Sequence, residues 1–225
     1  MRYANRFSAR ALRLALAITL LFTGCATGTS GGDGGGRAPT TRRIDARQAQ
    51  QLQGIMRPLI EHMDHPIPLN KVRVTLIEDD QINAANAGGG DFYVTTGFME
   101  RANDEEMRGV LAHEIAHADL GHVAKAKALG TGLNIGMFLL DQVLPGSGSI
   151  TPIVADFGVM RPFSRSEEYA ADAHGVEILQ RAGYDGKKIM ADTLTWLVET
   201  SGESGGFLET HPGTRDRIQR VRNMS

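Results

Sequence analysis

The sequence predicts an α+β domain, mainly helical, with one small sheet. Apolar residues recur at helical spacing in several stretches, two of which open on capping-box patterns, and two short β-type runs lie close together before the first of those boxes. Length supports one such domain: with a leader and tether set aside, residues 44–225 remain, enough for a single well-filled core.

The chain opens on what reads as an address. Arg2, Arg6, Arg10 and Arg13 make a positive n-region, and Leu14 to Phe22 is an apolar stretch too short to span a bilayer. It runs into Leu21-Phe22-Thr23-Gly24-Cys25, which resembles a bacterial lipobox with Phe22 where an aliphatic residue is usual. The resemblance implies a signal peptide over residues 1–24, lipidation of Cys25, and an outer-membrane anchor facing the periplasm, since Ala26 rather than aspartate follows the cysteine. The alternative is an ordinary secretory signal with an incidental cysteine. Cys25 is the sole cysteine, so no disulfide forms within this sequence and no thiol nucleophile lies deep in the fold. Residues 25–43 are rich in glycine, serine and threonine and read as a flexible tether, with a reach on the order of 23 Å.

From Asp45 to about Asp64, Leu52, Met56, Leu59, Ile60 and Met63 recur at helical spacing, and Pro58 implies a kink or a late start. Val72 to Glu78 alternates as a half-buried strand, and Asp91 to Thr96 reads as a second. Between them, Asn83-Ala84-Ala85-Asn86 leads into Ala87-Gly88-Gly89-Gly90, which composition alone reads as a hairpin loop. Asn103 and Glu106 form a capping box for a helix that carries Val110, Leu111 and Ile115 and stops at Gly121. Ser164 and Glu167 repeat the box for a helix to about Ala182, stopped by Gly183. Ile189, Leu194, Leu197 and Val198 mark a core helix from about Asp185 to Thr200 that includes Trp196, and a short last helix begins near Thr214. Within residues 131–163, Leu133 to Leu144 is apolar but interrupted by Gly136 and Asp141, and Pro145 to Ser149 is a loop signal; a helical hairpin packed over the cleft is the preferred reading and a membrane-dipping patch the alternative.

Within the first capped helix stands His113-Glu114-Ile115-Ala116-His117. Residues four apart in a helix leave the same face about 6 Å apart, so two neutral imidazoles can grip one Zn²⁺. Glu114, beside the first of them, is placed to take a proton from water and pass it to a leaving amine. A catalytic zinc needs a third protein ligand. One protease class supplies a histidine ten positions after the first and a glycine six after it; Val123 and Asp119 occupy those places, which excludes that class. A glutamate from a separate helix remains, and Glu168 shares a face with Asp172, a spacing that suits one carboxylate on the metal and one orienting a ligand imidazole. Glu167 competes but lacks that spacing. His62, His65, His122 and His174 read as solvated or packed histidines, with His122 placed nearest the site.

These residues resemble the M48 peptidases, zinc metalloproteases that include HtpX-like and Ste24-like membrane enzymes and small periplasmic lipoproteins. The family's HExxH matches His113, Glu114 and His117, its ExxxD matches Glu168 and Asp172, and His211-Pro212 with Arg217-Ile218 looks like its HP-x4-RI segment. The resemblance covers about Leu69 to Val221. It implies a zincin-like domain of gluzincin type whose sheet edge flanks the active-site helix, one Zn²⁺ per chain on His113, His117 and Glu168, and Asp172 behind them. It gives His211 and Arg217 the role of stabilising the oxyanion, although in some relatives the equivalent histidine occupies the metal's open position and holds the enzyme idle. From the residues alone His211 is equally a turn histidine before proline. The resemblance also makes Asn83, Ala84, Ala85 and Asn86 the edge against which an extended substrate pairs, with Ala85 where relatives carry an aromatic residue. The expected activity is endoproteolysis of unfolded or extended envelope polypeptides, with outer-membrane assembly machinery as a possible partner. A chaperone-like lipoprotein with little proteolysis is the alternative. A net charge of -2 without a basic run after residue 43 argues against nucleic acid.

Overall fold

A computed structural model describes residues 40–128, 162–202, 205–212 and 214–225. The leader, Cys25, most of the tether and the 131–161 part of the proposed cover lie outside these residues.

Helix α1 (Ala46–Glu61) opens on Asp45, whose side chain accepts from Gln48 N while the Gln48 side chain accepts from Asp45 N. This box fixes the start at Ala46 and rules out the late start that Pro58 suggested. Pro58 lies inside the helix, where its missing N–H deprives the preceding turn of one bond. Leu52, Ile55, Met56, Leu59 and Ile60 form the stripe that α1 buries.

Among the described residues the sheet holds four strands in the order β1-β2-β4-β3. Strand β1 (Thr41–Arg42) pairs antiparallel with β2 (Arg73–Ile77), so the stretch read as tether already contains sheet residues. Strand β2 runs parallel to β4 (Asp91–Thr95), and β3 (Ala84–Gly88) runs antiparallel to β4 on its other side. The segment that composition alone reads as a hairpin loop is therefore mostly strand, and it is the terminal strand of the described sheet. Its hairpin turn is only Gly89-Gly90, with φ of +66° and +97°, a left-handed pair that glycine adopts without strain. A bulge between Asn86 and Gly88 twists the strand end, and Gly88 N closes it on Asn86 Oδ1 at 3.0 Å.

Helix α2 (Thr96–Arg101) follows β4 directly, capped by the Thr95 side chain on Phe98 N. Helix α3 (Asp104–Asp119) begins on the predicted Asn103–Glu106 box and ends at Leu120, with Gly121 at φ +68° just beyond. Helix α4 (His122–Ala128) continues from it. Helix α5 (Arg165–Arg181) starts on the predicted Ser164–Glu167 box and ends before Gly183 at φ +89°. Helices α6 (Gly186–Ser201), α7 (Phe207–Thr210) and α8 (Thr214–Arg222) complete the described chain.

Helix α3 is the axis of the domain. It packs against α1, α5, α6 and β3, and every residue from Gly109 to His117 is buried. Close approach depends on small residues: a Cβ on Gly109 would lie 2.1 Å from Thr193 Oγ1 and 2.7 Å from Thr193 Cβ on α6. Gly109→Ala should destabilise the protein by roughly 1–3 kcal/mol through overpacking, outweighing alanine's gain of about 1 kcal/mol in helix propensity. Urea unfolding checks this; an unchanged midpoint would show that α6 can yield.

Candidate active site

The two helix starts determine the site. With α3 entered at Asp104 and α5 at Arg165, His113 and His117 on one helix face Glu168 on the other, beside His211 at the end of α7. One donor atom from each of these four buried residues lies within 4.8 Å of the others. His117 Nε2 is 3.0 Å from His113 Nε2, and His211 Nδ1 is 3.3 Å from His113 Nε2 and 3.1 Å from Glu168 Oε1. Glu167, the competing ligand, is spent on the capping box, its Oε2 accepting from Ser164 N and Oγ.

The outer nitrogens of both helix imidazoles have partners. His113 Nδ1 lies 3.0 Å from Asp172 Oδ1, as the four-residue spacing from Glu168 predicted. His117 Nδ1 lies 2.9 Å from His122 Nδ1, a contact that brings His122 into the site. In each pair an N–H on Nδ1 of the ligand histidine leaves Nε2 as a lone pair aimed at the common centre. Glu114 stands alongside. Its Oε2 accepts from Asn86 N at 2.8 Å, while Oε1 accepts no hydrogen bond from the described residues and has His211 Nε2 at 3.3 Å.

Electrostatics fit a divalent cation. Three buried carboxylates, Glu114, Glu168 and Asp172, face one guanidinium, that of Arg217. Burial pushes Glu114 up, offset in part by His211, His113 and the Asn86 N–H. Burial also opposes ionisation of Glu168, but His211, Arg217, His113 and His117 together pull it far below the usual carboxylate range. Asp172 is held at about 2 against the cost of burial, mainly by Arg217. His117 is pushed well down by burial. Burial and Arg217 act the same way on His113, yet the hydrogen bonds to Asp172 and Glu168 outweigh them and raise it to about 9. Converging imidazole nitrogens and a carboxylate suit a cation with nitrogen and carboxylate preferences, which would take the place of the proton that His113 otherwise holds. His113, His117 and Glu168 would hold it, with His211 as a fourth donor.

Arg217, expected beside the oxyanion, is placed against two carboxylates. It is fully buried, with Nε and Nη2 on the Asp172 carboxylate at 2.8 and 2.7 Å and Nη1 2.5 Å from Glu168 Oε2 and 2.9 Å from His211 O. Its donors bond the two carboxylates and the His211 backbone, and Nη2 also lies 3.4 Å from His113 Nδ1. Of the proposed substrate edge, Ala84, Ala85 and Asn86 lie on β3, the terminal strand of the described sheet, and Asn83 immediately precedes it. Asn86 N points at Glu114, so by strand alternation Ala84 and Asn86 turn their backbone groups outward. The Asn86 side chain serves the bulge, and Lys127 Nζ already bonds Ala87 O at 2.7 Å.

Two aromatic residues were not singled out by sequence. Phe207 stacks on His211 at 4.2 Å and 11°, and Phe163 tilts over His117 at 4.1 Å. Only their neighbours gave a hint: Phe163 precedes the Ser164 cap and Phe207 lies four residues before His211.

Comparison with known proteins agrees with this geometry. Beta-barrel assembly-enhancing protease of Yersinia pestis is 32% identical over 165 residues, covering 67% of this chain and 34% of that protein. Mitochondrial metalloendopeptidase OMA1 of Schizosaccharomyces pombe is 29% identical over 154 residues, covering 67% of this chain and 46% of the relative. A protease HtpX homolog of Polynucleobacter necessarius is 26% identical over 223 residues, covering 81% and 76%. The chain thus spans less than half the length of the first two. The profile of Peptidase family M48 matches residues 46–225, so the chain belongs to this family of metallopeptidases.

Proposed function

We propose that this chain is a zinc-dependent endopeptidase of the bacterial cell envelope, zincin-like in architecture and tethered through a lipidated Cys25. The observation that carries the reading is the buried meeting of His113, His117 and Glu168 beside a Glu114 aimed by Asn86 N. The name of the relative that enhances β-barrel assembly supports misfolded or misassembled outer-membrane proteins as substrates and outer-membrane assembly machinery as a partner. The lipobox-like ending at Cys25 supports the anchor and the periplasm-facing location.

Zn²⁺ bound by these residues supplies Lewis acidity to the scissile carbonyl. An extended substrate pairs along β3, the strand beside Glu114, once the groups that bury Ala84 to Ala87 give way. Glu114 accepts a proton from the attacking water and delivers it to the departing amine nitrogen, its carboxylate kept in place by the Asn86 N–H. Asp172 keeps the His113 proton on Nδ1, and His122 does the same for His117.

His211 sets the enzyme's resting state. Its Nδ1 stands among the ligand atoms and its Nε2 beside Glu114 Oε1, the space a scissile group needs. His211→Ala should therefore keep one zinc per chain and cleave casein several-fold faster than wild type. A fall in cleavage with zinc retained would make His211 an oxyanion donor instead. No cleavage by either protein, with zinc bound in both, would overturn the peptidase reading in favour of a binding lipoprotein.

A further inference from the structure

A second cluster of metal-type donors lies outside the active site, where the end of α3, the middle of α5 and the loop after α1 meet. Asp119 is the last residue of α3, and its side chain is only 1% exposed. Its Oδ2 is 2.7 Å from His174 Nε2 on α5, and Asp64 Oδ2 from the loop is 4.0 Å from the same nitrogen. One donor atom each from Asp64, Asp119 and His174 fall within 4.8 Å of one another. His65 Nδ1, on the same loop, lies 3.2 Å from Asp119 Oδ1.

We infer that Asp119, His174 and Asp64 form a second divalent-cation site that takes Zn²⁺. The donors around the cluster are arranged as they are around bound metals. His174 Nδ1 faces Glu177 Oε2 at 3.4 Å, the carboxylate–imidazole contact that orients a ligand histidine. Acceptors at both ring nitrogens are satisfied either by two protons or by one proton and a cation. Asp119 is held rigidly, its two oxygens accepting from Asp64 N at 2.7 Å and His65 N at 2.9 Å. Arg181 Nη1 holds Asp64 Oδ1 at 2.6 Å, which leaves Oδ2 turned toward His174. Imidazole nitrogen combined with carboxylate oxygen favours zinc over calcium, which prefers an all-oxygen shell.

The site's placement gives it a role. Asp119 follows His117 by two residues on α3 and His174 follows Asp172 by two on α5. A cation here ties together, from outside, the two helices that carry the active-site ligands and pins the loop that follows α1. Its occupancy therefore stiffens the catalytic helices without touching substrate.

Native mass spectrometry of the zinc-loaded full chain tests this. Wild type should carry two zinc ions, His113→Ala and His174→Ala one each, and the double variant none. His174→Ala should keep its casein cleavage and show a smaller rise in Tm on addition of zinc than wild type, the remainder coming from the ion at His113, His117 and Glu168; calcium should give no rise. Asp64→Asn, an exposed change, should weaken the second ion about tenfold or more and serves if His174→Ala folds poorly. One ion in wild type, lost in His113→Ala and kept in His174→Ala, would overturn the second site and leave the peptidase reading standing. One ion lost only in His174→Ala would keep this site and overturn the proposed catalytic one.

Discussion

Glu114→Gln should reduce peptide cleavage about 10³-fold or more while leaving the metal content of the protein unchanged. The two readouts separate because Glu114 is not among the four side chains whose donors converge, yet its carboxylate stands beside them. Glutamine keeps the shape and can still accept from Asn86 N, which now bonds Glu114 Oε2 at 2.8 Å. It cannot accept a proton from water, and general-base catalysis contributes about 10²–10⁴-fold in rate. Zinc per chain and initial rates on casein or a quenched peptide decide it. Cleavage within tenfold of wild type would remove Glu114 from the chemistry, and loss of zinc would instead make it a ligand.

What sequence could reveal here depended on range. The two capping boxes and the glycines after α3 and α5 are local signals, set within four residues, and the structure places both helices as expected. The HExxH and ExxxD spacings were legible for the same reason, since one helical turn fixes which residues share a face. The Asp45–Gln48 box is equally local, and its two hydrogen bonds start the helix at Ala46 although Pro58 removes one bond further along. Strand β3 was obscured because its Asn-Ala-Gly composition has weak strand preference, and pairing with β4 overrides that. The contacts of Phe163, Phe207 and His122 arise from elements brought together only by the fold. Arg217 shows the limit most clearly: a motif identifies a cation near the site, while only packing shows which carboxylates consume it.

That arrangement makes Arg217→Met the most damaging single change expected for stability. Methionine fills much of the volume but leaves Glu168 and Asp172 as buried carboxylates without their guanidinium, and breaking a buried ion pair from one side costs about 3–5 kcal/mol. Arg217→Lys should recover little, because a single ammonium cannot reproduce the bidentate grip on Asp172 while reaching Glu168 and His211 O. The pH dependence carries a definite sign. In wild type Asp172 is depressed to about 2 from 3.8, so its contribution is complete above the unfolded value and is lost only as pH falls through about 2. Without Arg217, the main cause of its depression, Asp172 is raised by its burial and then stabilises the fold by taking up a proton as pH falls. The stability gap between variant and wild type should therefore narrow as pH falls from 7 to 5 in metal-free protein, measured by urea unfolding. Added zinc should narrow it at pH 7 as well, since a divalent cation on Glu168 replaces part of the missing charge. A gap that stays constant with pH and zinc would mean that Arg217 acts through packing alone.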